Sequence, residues 1–384
     1  MSATNHSVNS GVKILAEVVL MKGNEAVAEA AIRAGCRYFF GYPITPQNEI
    51  PEYMARRLPE VGGVYVQAES EVAAINMVYG AGGAGGRVLI SSSSPGISLM
   101  QEGISYLCGS EIPCVIVNMM RGGPGLGGIQ PSQSDYFQAT KGGGHGDYRL
   151  IVYGPSSIQE MVDIMFRAFA VAEKYRNPVM ILGDGMLGQM MEPVSFPDET
   201  PPPDPRSKPW ATTGNRGGKS RLLSSIILDP EGLDAHNWRL QEKYRRAEKE
   251  EVMWDMEKAD DAEWFLVAYG TMARVCRAAM TMARSEGIKV GLIRPITLWP
   301  FPKQAFEAVL PRAKGFLCVE MSTGQMVEDV RLSVEGRAPV YFYGRTGGAV
   351  PVPKGVLKRI RDMVSGKTPS ITDYYDRVAG GERK

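Results

Sequence analysis

Short apolar runs alternate with helix-like segments from residue 20 to residue 195, and this alternation limits the fold more than any other feature. Candidate strands are Arg37–Phe40, Val64–Gln67, Val88–Ser91, Cys114–Met119 and Val179–Leu182. Candidate helices lie between them at Asn24–Ala34, Glu69–Gly80, Leu99–Leu107 and Ser157–Tyr175. This order predicts an α/β domain with a parallel sheet covered by helices on both faces. Such sheets bind ligands at the carboxyl ends of their strands, where this chain has glycine-rich loops.

The pattern changes after residue 195. Prolines crowd residues 197–209, and the charged segment Arg239–Asp261 predicts a helix with a thin apolar stripe of Leu240, Tyr244, Ala247 and Trp254. That helix is either a solvated surface helix or an arm that packs on another subunit, and we favour the arm. Four further apolar runs predict a second, smaller α/β domain: Trp264–Tyr269, Ile288–Ile293, Gly315–Val319 and Val340–Tyr343.

The predicted organisation has five parts. Residues 1–20 form a leader and residues 21–195 a first domain. Residues 196–262 are a Pro-rich linker and charged helical arm. Residues 263–365 form the second domain, and residues 366–384 a tail.

Composition excludes two classes of partner. Lys and Arg total 43 against 42 for Asp and Glu, so the net charge of +1 leaves no surplus to neutralise a nucleic acid. No apolar run is long enough to span a membrane, and the polar N-terminus does not read as a signal peptide, so we expect a cytoplasmic protein. The five cysteines show no Cys-x-x-Cys spacing, which favours buried thiols over metal ligands: Cys36, Cys108, Cys114, Cys276 and Cys318. Any iron–sulfur clusters would therefore belong to other chains.

Two segments near the first strands are candidates for chemistry. Pro43 and Pro46 stiffen the loop after the first candidate strand and hold the Thr45 hydroxyl at its end, although Thr45 could equally be an ordinary helix cap. Glu69 and Glu71 open the next helix, where carboxylates complement the helix dipole. Glu71 directly precedes the apolar stripe of that helix, and a carboxylate at the edge of a core is costly without a partner.

A third segment begins at Arg121, which ends an apolar strand and opens a loop with five glycines. A guanidinium there suits a carboxylate, or it forms a salt bridge within the loop. His145, in a fourth glycine-rich segment, is an acid, a base, a substrate contact or a structural histidine.

Taken in order, these segments resemble the 2-oxoacid:ferredoxin oxidoreductase family. The resemblance rests on Tyr-Pro-Ile-Thr-Pro, Gln-x-Glu-Ser-Glu, Ser-Ser-Ser-Pro-Gly and Arg-Gly-Gly-Pro in the first domain, and on Ala-Tyr-Gly-Thr and Ile-Arg-Pro-Ile-Thr-Leu-Trp-Pro in the second. It implies a thiamine diphosphate pyrimidine-binding domain followed by a domain like the transketolase C-terminal domain. The implied enzyme is the α subunit of a complex that converts a 2-oxo acid and coenzyme A to an acyl-CoA.

The resemblance also assigns roles to residues. Glu71 matches the catalytic glutamate that hydrogen-bonds the aminopyrimidine of thiamine diphosphate, and Thr45 and Arg121 match the residues that bind the substrate's carbonyl and carboxylate. Tyr42, Pro43 and Ile44 would line the pyrimidine pocket. This list follows the family pattern and includes no metal ligand.

Asp184 lies in a Gly-Asp-Gly that can open a diphosphate and magnesium motif, which needs an asparagine roughly 25–30 residues later. The nearest following asparagine, Asn215, lies in the irregular segment, so we interpret Asp184 as structural. The resemblance then implies that a partner β subunit holds the diphosphate and Mg²⁺. A γ subunit, a ferredoxin-like δ subunit with iron–sulfur clusters, ferredoxin, and a dimer of hetero-oligomers complete the implied assembly.

The loop after Arg121 reads Gly-Gly-Pro-Gly-Leu-Gly-Gly-Ile and is similar to the branched-chain subgroup, which acts on 3-methyl-2-oxobutanoate. No second cation adjoins Arg121, and Leu126 and Ile129 favour an apolar substrate side chain. A 2-oxoglutarate-specific or aryl-2-oxoacid-specific member, a lipoamide-dependent E1-type subunit, and a non-catalytic scaffold remain alternatives.

Overall fold

The structure is a computed structural model that describes residues 18–214 and 220–367. Most of the predicted leader, the tail from residue 368 and Asn215 lie outside the described residues.

Strands and helices alternate through the first unit as the sequence predicts. They are β1 (Val18–Lys22), α1 (Gly23–Arg33), β2 (Tyr38–Gly41), α2 (Glu49–Glu60), β3 (Val64–Gln67), α3 (Glu71–Gly83), β4 (Val88–Ser92), α4 (Ser94–Gly109), β5 (Val115–Met120), α5 (Tyr136–Lys141), β6 (Ile151–Tyr153), α6 (Ile158–Tyr175), β7 (Val179–Asp184), α7 (Gly185–Gln189) and β8 (Met191–Ser195).

A long connection with one helix leads to the second unit. The remaining elements are α8 (Pro230–Glu250), β9 (Trp254–Glu257), β10 (Trp264–Val267), α9 (Gly270–Ser285), β11 (Val290–Pro295), β12 (Thr297–Trp299), α10 (Lys303–Glu307), β13 (Gly315–Glu320), α11 (Met326–Val334), β14 (Val340–Gly344) and α12 (Pro353–Val364).

The main sheet has the strand order β12-β6-β7-β5-β4-β2-β3, and every pair except β12–β6 is parallel. Every residue of β4, β5 and β7 is buried, as expected of strands covered on both faces. The core on one face includes residues of α1, α2 and α6, and the core on the other includes residues of α3 and α4. The predicted α/β architecture of the first unit is confirmed.

The second sheet has the order β14-β13-β10-β11-β9, in which only β9 runs antiparallel to its neighbour. Residues of α9 and α12 pack in one core against it, whereas α10 and α11 contribute to the same core cluster as α3 and α4. The two units therefore share a continuous apolar core. They also share a strand, because β12 follows β11 along the chain but pairs with β6 of the main sheet.

The predicted helix Arg239–Asp261 is wrong at both ends. Asp229 caps a helix that begins at Pro230, accepting a hydrogen bond from the Gly232 amide at 2.8 Å, and the helix ends at Glu250. Trp254, predicted to lie on its apolar stripe, belongs to strand β9 because this segment pairs with β11.

The apolar stripe of α8 is used within this chain rather than on another subunit as we predicted. Leu240, Tyr244 and Ala247 are buried, and the Tyr244 ring packs edge-on against Trp299 at 5.9 Å. Glu251, just after α8, accepts hydrogen bonds from Arg167 and Lys174, both at 2.6 Å. None of the described helices has the length and apolar character needed to cross a membrane.

Candidate functional site

Five loops meet where the parallel strands of the main sheet end. Residues 42–48 follow β2, and α3 begins with Glu71 shortly after β3. Residues 93–96 follow β4, the Arg121 loop follows β5, and α7 follows β7. Because these strands run in the same direction, their carboxyl ends form one edge of the sheet.

Glu71 is buried at the first position of α3 without a hydrogen-bond partner. The Ser70 hydroxyl caps this helix by accepting from the Ala73 amide at 3.2 Å, which sets where the helix begins. The Glu71 residue is only 6% exposed, yet no hydrogen bond reaches its carboxylate from residues 18–214 or 220–367. A buried carboxylate in this condition favours binding of a hydrogen-bond donor that the chain itself does not supply.

The junction between β4 and α4 contributes two more polar atoms that lack hydrogen-bond partners. The hydroxyls of Ser92 and Ser93 are buried, and neither forms a hydrogen bond within the described part of the chain. A Cβ atom on Gly96 would lie 2.1 Å from Ser92 Oγ and 2.5 Å from Glu71 Oε1. Only glycine therefore fits at this position, and its missing side chain leaves the Glu71 carboxylate and the Ser92 hydroxyl facing the same point.

Hydrogen bonds from neighbouring elements hold the loop after β2 in place. The Pro46 carbonyl accepts hydrogen bonds from Asn24 Nδ2 at 2.8 Å and from Gln189 Nε2 at 2.9 Å. The Glu49 carboxylate also binds both of these side chains and Lys22. Burial alone would raise the pKa of Glu49, but the hydrogen bonds from Asn24, Gln189 and Lys22 outweigh it and lower that pKa.

At the tip of the same loop the predicted site residues lie near the surface. Tyr42, Pro43 and Thr45 are exposed and Ile44 is half-buried. Their contacts with a pyrimidine ring stay a prediction.

Arg121 and Thr45, which the resemblance assigns to substrate binding, contact each other in the structure. Arg121 Nη1 donates to the Thr45 carbonyl at 2.9 Å, and Arg121 Nη2 donates to the Leu126 carbonyl at 3.0 Å. The Arg121 Nε atom is buried without a partner among the described residues. The guanidinium thus bridges two loops and keeps donor capacity for a further acceptor.

Below Arg121 lies a polar network that the sequence analysis did not identify. The Ser94 hydroxyl donates to Asp135 Oδ2 at 2.6 Å and accepts from the Arg121 amide at 3.0 Å. Asn118 Nδ2 also donates to Asp135 Oδ2, at 2.9 Å. Burial raises the pKa of Asp135, and the hydrogen bonds from Ser94 and Asn118 offset part of that rise.

The first turn of α4 therefore connects the two halves of the site, because Ser94 binds the Arg121 backbone while Gly96 lies against Glu71. The only feature of the sequence that marked this turn of α4 was the run of four serines followed by Pro-Gly.

Asp184 is buried and acts as a helix cap. Its Oδ1 accepts from the amides of Met186 at 3.0 Å and Leu187 at 3.1 Å, and its Oδ2 accepts from the Thr271 amide at 3.4 Å. Burial raises the pKa of Asp184 despite these hydrogen bonds. Asp184 therefore joins α7 to the start of α9, which supports its interpretation as structural.

Two further observations concern metals and His145. Over the described ranges, no three His, Cys, Asp or Glu residues cluster in a way that would hold a metal ion. His145 is exposed, in a loop whose Gly143 and Gly144 amides donate to Tyr148 Oη, and no hydrogen bond joins His145 to Glu71 or Arg121.

A cleft of about 540 Å³ opens beside Thr45. Both units line it, through the residues Thr45, Pro46, Asn48, Glu49, Ile129, Gln130, Pro131, Gly185, Met186, Gln189 and Val350. No lysine or arginine is among these lining residues.

Comparison with known proteins identifies two domains. Residues 29–258 match the thiamine diphosphate-binding domain of pyruvate flavodoxin/ferredoxin oxidoreductases. Residues 262–356 match the pyruvate:ferredoxin oxidoreductase core domain II.

The chain is similar along most of its length to curated proteins. It is 52% identical to ketoisovalerate oxidoreductase subunit VorB of Methanothermobacter thermautotrophicus, with 90% of this chain and 97% of the relative covered. It is 39% identical to 2-oxoglutarate synthase subunit KorA of the same organism, with 91% and 100% covered.

Among solved structures, it resembles the 2-oxoglutarate:ferredoxin oxidoreductase of Magnetococcus marinus, which has 2-oxoglutarate, coenzyme A and succinyl-CoA bound. The TM-score is 0.81 at 27% identity, with 90% of this chain covered and 65% of that one.

Proposed function

Because this chain belongs to the 2-oxoacid:ferredoxin oxidoreductase family, we propose that it is the pyrimidine-binding α subunit of a branched-chain 2-oxoacid:ferredoxin oxidoreductase. The reaction is the oxidative decarboxylation of 3-methyl-2-oxobutanoate to an acyl-CoA, with electrons passed to ferredoxin. The observation that carries the proposal is the buried Glu71 carboxylate, which has no hydrogen-bond partner in the described chain and faces the gap beside Gly96.

Glu71 fits the pyrimidine of thiamine diphosphate. Its carboxylate can hold a proton shared with a ring nitrogen, and the hydroxyls of Ser92 and Ser93 add polar groups that also lack partners. When bound, thiamine diphosphate supplies the electron sink that decarboxylation of a 2-oxo acid requires. Tyr42, Pro43 and Ile44 would cover the ring from the loop after β2.

Arg121 and Thr45 would bind the reacting end of the 2-oxo acid. The Arg121 guanidinium has a buried Nε–H without a partner, and it is fixed by the carbonyls of Thr45 and Leu126. A positioned guanidinium is well suited to a carboxylate, because charge and hydrogen bonding act together. The Thr45 hydroxyl, on the exposed face of the same loop, would orient the 2-oxo group.

The cleft beside Thr45 supports a branched aliphatic side chain as the preferred substrate group. Ile129, Met186 and Val350 give it apolar walls, and the absence of lysine and arginine from its lining provides no cation for a second carboxylate. The higher identity to VorB than to KorA, 52% against 39%, supports the same preference.

Partner chains would complete the enzyme. Val72 follows Glu71 on α3, and Leu99 lies about one turn after Gly96 on α4. They are 46% and 56% exposed, which favours closure of the site by a β subunit that holds the diphosphate and Mg²⁺. All five cysteines are buried and free, and burial raises the pKa of Cys36 and of Cys108 to about 12. Such thiols are poor cluster ligands, so iron–sulfur clusters would lie on a γ subunit or a ferredoxin-like δ subunit. We further propose a cytoplasmic dimer of such hetero-oligomers.

The proposal is tested on the purified assembly by reduction of a low-potential dye with coenzyme A and a panel of 2-oxo acids. We expect kcat/KM for 3-methyl-2-oxobutanoate to exceed that for 2-oxoglutarate or an aryl 2-oxo acid at least tenfold, roughly the discrimination an apolar pocket provides. A preference for 2-oxoglutarate would overturn the substrate assignment. An assembly without iron–sulfur absorbance that acylates lipoamide would instead be an E1-type enzyme.

A further inference from the structure

A second cleft, of about 370 Å³, lies at the opposite end of the main sheet from Glu71. It is bounded by the turn after α4, the turn after α6, Trp210, residues 221–227 and the start of α8 around His236 and Arg239. These turns precede β5 and β7, so the cleft lies at the amino ends of the strands that carry Arg121 and Asp184 at their other ends. The six residues of β5 span roughly 20 Å, which separates this cleft from the candidate active site.

Positive charge dominates the lining of this cleft. Arg176, Arg221 and Arg239 all line it, and Glu111 is the only acidic residue that does. Burial and the nearby Arg239 lower the pKa of Arg176, although Glu111 opposes this. Like charges held this close without enough counter-charge attract an anion.

Arg221 and Arg239 keep donors free for such an anion, whereas Arg176 forms an ion pair with Glu111 at 3.7 Å. Arg221 donates to the Ala211 carbonyl at 2.8 Å, and Arg239 donates to the Nδ1 atom of His236. The His236 Nε2 atom lies 2.8 Å from the Gly109 carbonyl, so both ring nitrogens of this histidine are engaged within the chain. Neither Arg221 nor Arg239 pairs with a carboxylate in the part of the chain that the structure describes.

Two residues of this cleft adopt a backbone conformation that is unfavourable for their side chains. Glu111 has φ of 56° and Arg176 has φ of 47°, in the left-handed region that glycine prefers. Arg176 is the C-cap of α6 and Glu111 directly follows the C-cap of α4, so both conformations end helices beside the cleft. The two residues also bind each other, because Arg176 Nε donates to the Glu111 carbonyl at 3.1 Å.

We propose that this cleft binds a phosphate dianion, either free or as the phosphate of a small ester. Arg176, Arg221 and Arg239 would bind the phosphate oxygens, a geometry for which guanidinium groups are suited. Trp210, Leu223 and Ile227 form an apolar wall that would contact the rest of an ester. The distance from Glu71 makes the cleft a second site, separate from the one that binds thiamine diphosphate.

The test is calorimetric titration of the purified complex, already saturated with thiamine diphosphate and coenzyme A, in a buffer without phosphate. The two probes are inorganic phosphate and adenosine monophosphate. We expect one site for each copy of this chain, with Kd below about 1 mM and affinity that falls as salt rises. Tighter binding of the nucleotide would show that an ester occupies the apolar wall, whereas equal affinities would identify free phosphate as the ligand.

Substitutions of single arginines test whether the phosphate binds in this cleft. Arg221→Gln and Arg239→Gln should each weaken binding at least tenfold, roughly the loss of one charge-assisted hydrogen bond. Arg245→Gln, on the same helix as Arg239 but outside this cleft, should leave binding unchanged. Arg221 is exposed and its replacement should not disturb folding. Absence of saturable binding by both probes, or binding unaffected by Arg221→Gln and Arg239→Gln, would overturn the proposal.

Discussion

Two buried glutamates, one in each α/β unit, differ in the number of hydrogen bonds that their carboxylates accept. Glu320 ends β13 and is 0% exposed, and its carboxylate accepts from the Ser322 hydroxyl at 2.8 Å and from the amides of Gln325, Met326 and Val327 at 2.9 to 3.1 Å. Glu71 is almost as deeply buried and has no hydrogen bond from any described residue.

The comparison teaches that burial alone does not identify a functional carboxylate. The hydrogen bonds to Glu320 fix the start of α11, so this residue stabilises the fold. Glu71 has no such hydrogen bonds, so its carboxylate oxygens are left to accept from a donor outside the chain. Asp135 is an intermediate case. It is partly buried, and its carboxylate accepts hydrogen bonds from Ser94 and Asn118.

Replacement of Glu71 should give the largest effect on activity. Glu71→Gln keeps the size of the side chain but removes the carboxylate that shares a proton, so we expect kcat to fall by roughly 10²–10⁴ with the complex still assembled. Glu69→Gln, an exposed neighbour, is the matched control and should retain full activity. Ordinary turnover of the Glu71 variant in the dye assay would make this chain a scaffold.

Replacement of Glu320 should instead affect stability. In Glu320→Gln the amide NH₂ would face backbone donors, so we expect the free energy of unfolding to fall by roughly 3 kcal/mol. Chemical denaturation measures this loss, with the exposed Glu328→Gln on α11 as control. If Glu320→Gln lowered kcat as strongly as Glu71→Gln without loss of stability, the distinction between the two glutamates would fail.

Gly96→Ala tests the gap that faces Glu71. The new Cβ would overlap Glu71 Oε1 and Ser92 Oγ, and relief of such a contact typically costs about 1–3 kcal/mol. We therefore expect thiamine diphosphate to bind roughly 10- to 100-fold more weakly in titrations of the assembly. Gly80→Ala, in open space on α3, should leave that affinity unchanged. Equal affinity in wild type and Gly96→Ala would place the cofactor elsewhere.

Asp135→Asn should give the smallest change, and its sign depends on pH. Because burial raises the pKa of Asp135 above its ordinary value of 3.8, the native state binds this proton more tightly than the unfolded state does. The wild type therefore loses stability as pH rises from below 3.8 through the native pKa, whereas the asparagine variant does not. Thermal midpoints of both proteins should therefore diverge in favour of the variant as pH rises across this range. A constant difference would show that Asp135 titrates normally.

Much of the fold could be predicted because local pattern and tertiary structure agree in the central strands. The runs at Val88–Ser91, Cys114–Met119 and Val179–Leu182 are apolar except for Ser91 and Asn118, and each corresponds to a buried strand within two residues. Helix α2 was missed because it contains Pro51 and Pro59, although Pro51 lies in the first turn, where its missing N–H is not needed. The short strands β9 and β12 were missed because their pairing partners, not their own sequences, determine them.

The site was predicted only where a motif or an unusual residue marked it. Glu71 next to an apolar stripe suggested a buried carboxylate, and Arg121 at the end of an apolar strand suggested a loop cation suited to a carboxylate. Asp135 gave no such signal, and the serine run that contains Ser94 did not reveal its hydrogen bond with Asp135, because the two residues are far apart in sequence. The cluster of Arg176, Arg221 and Arg239 was missed for the same reason.

The pairing of β12 with β6 has a consequence for synthesis on the ribosome. While the nascent chain ends before residue 297, β6 remains an open edge that can pair with another polypeptide. Translation of residues 297–299 closes that edge, so the amino-terminal half matures only after part of the carboxyl-terminal half has emerged. A message truncated between the two units would therefore yield an aggregation-prone fragment rather than a free-standing thiamine-binding domain.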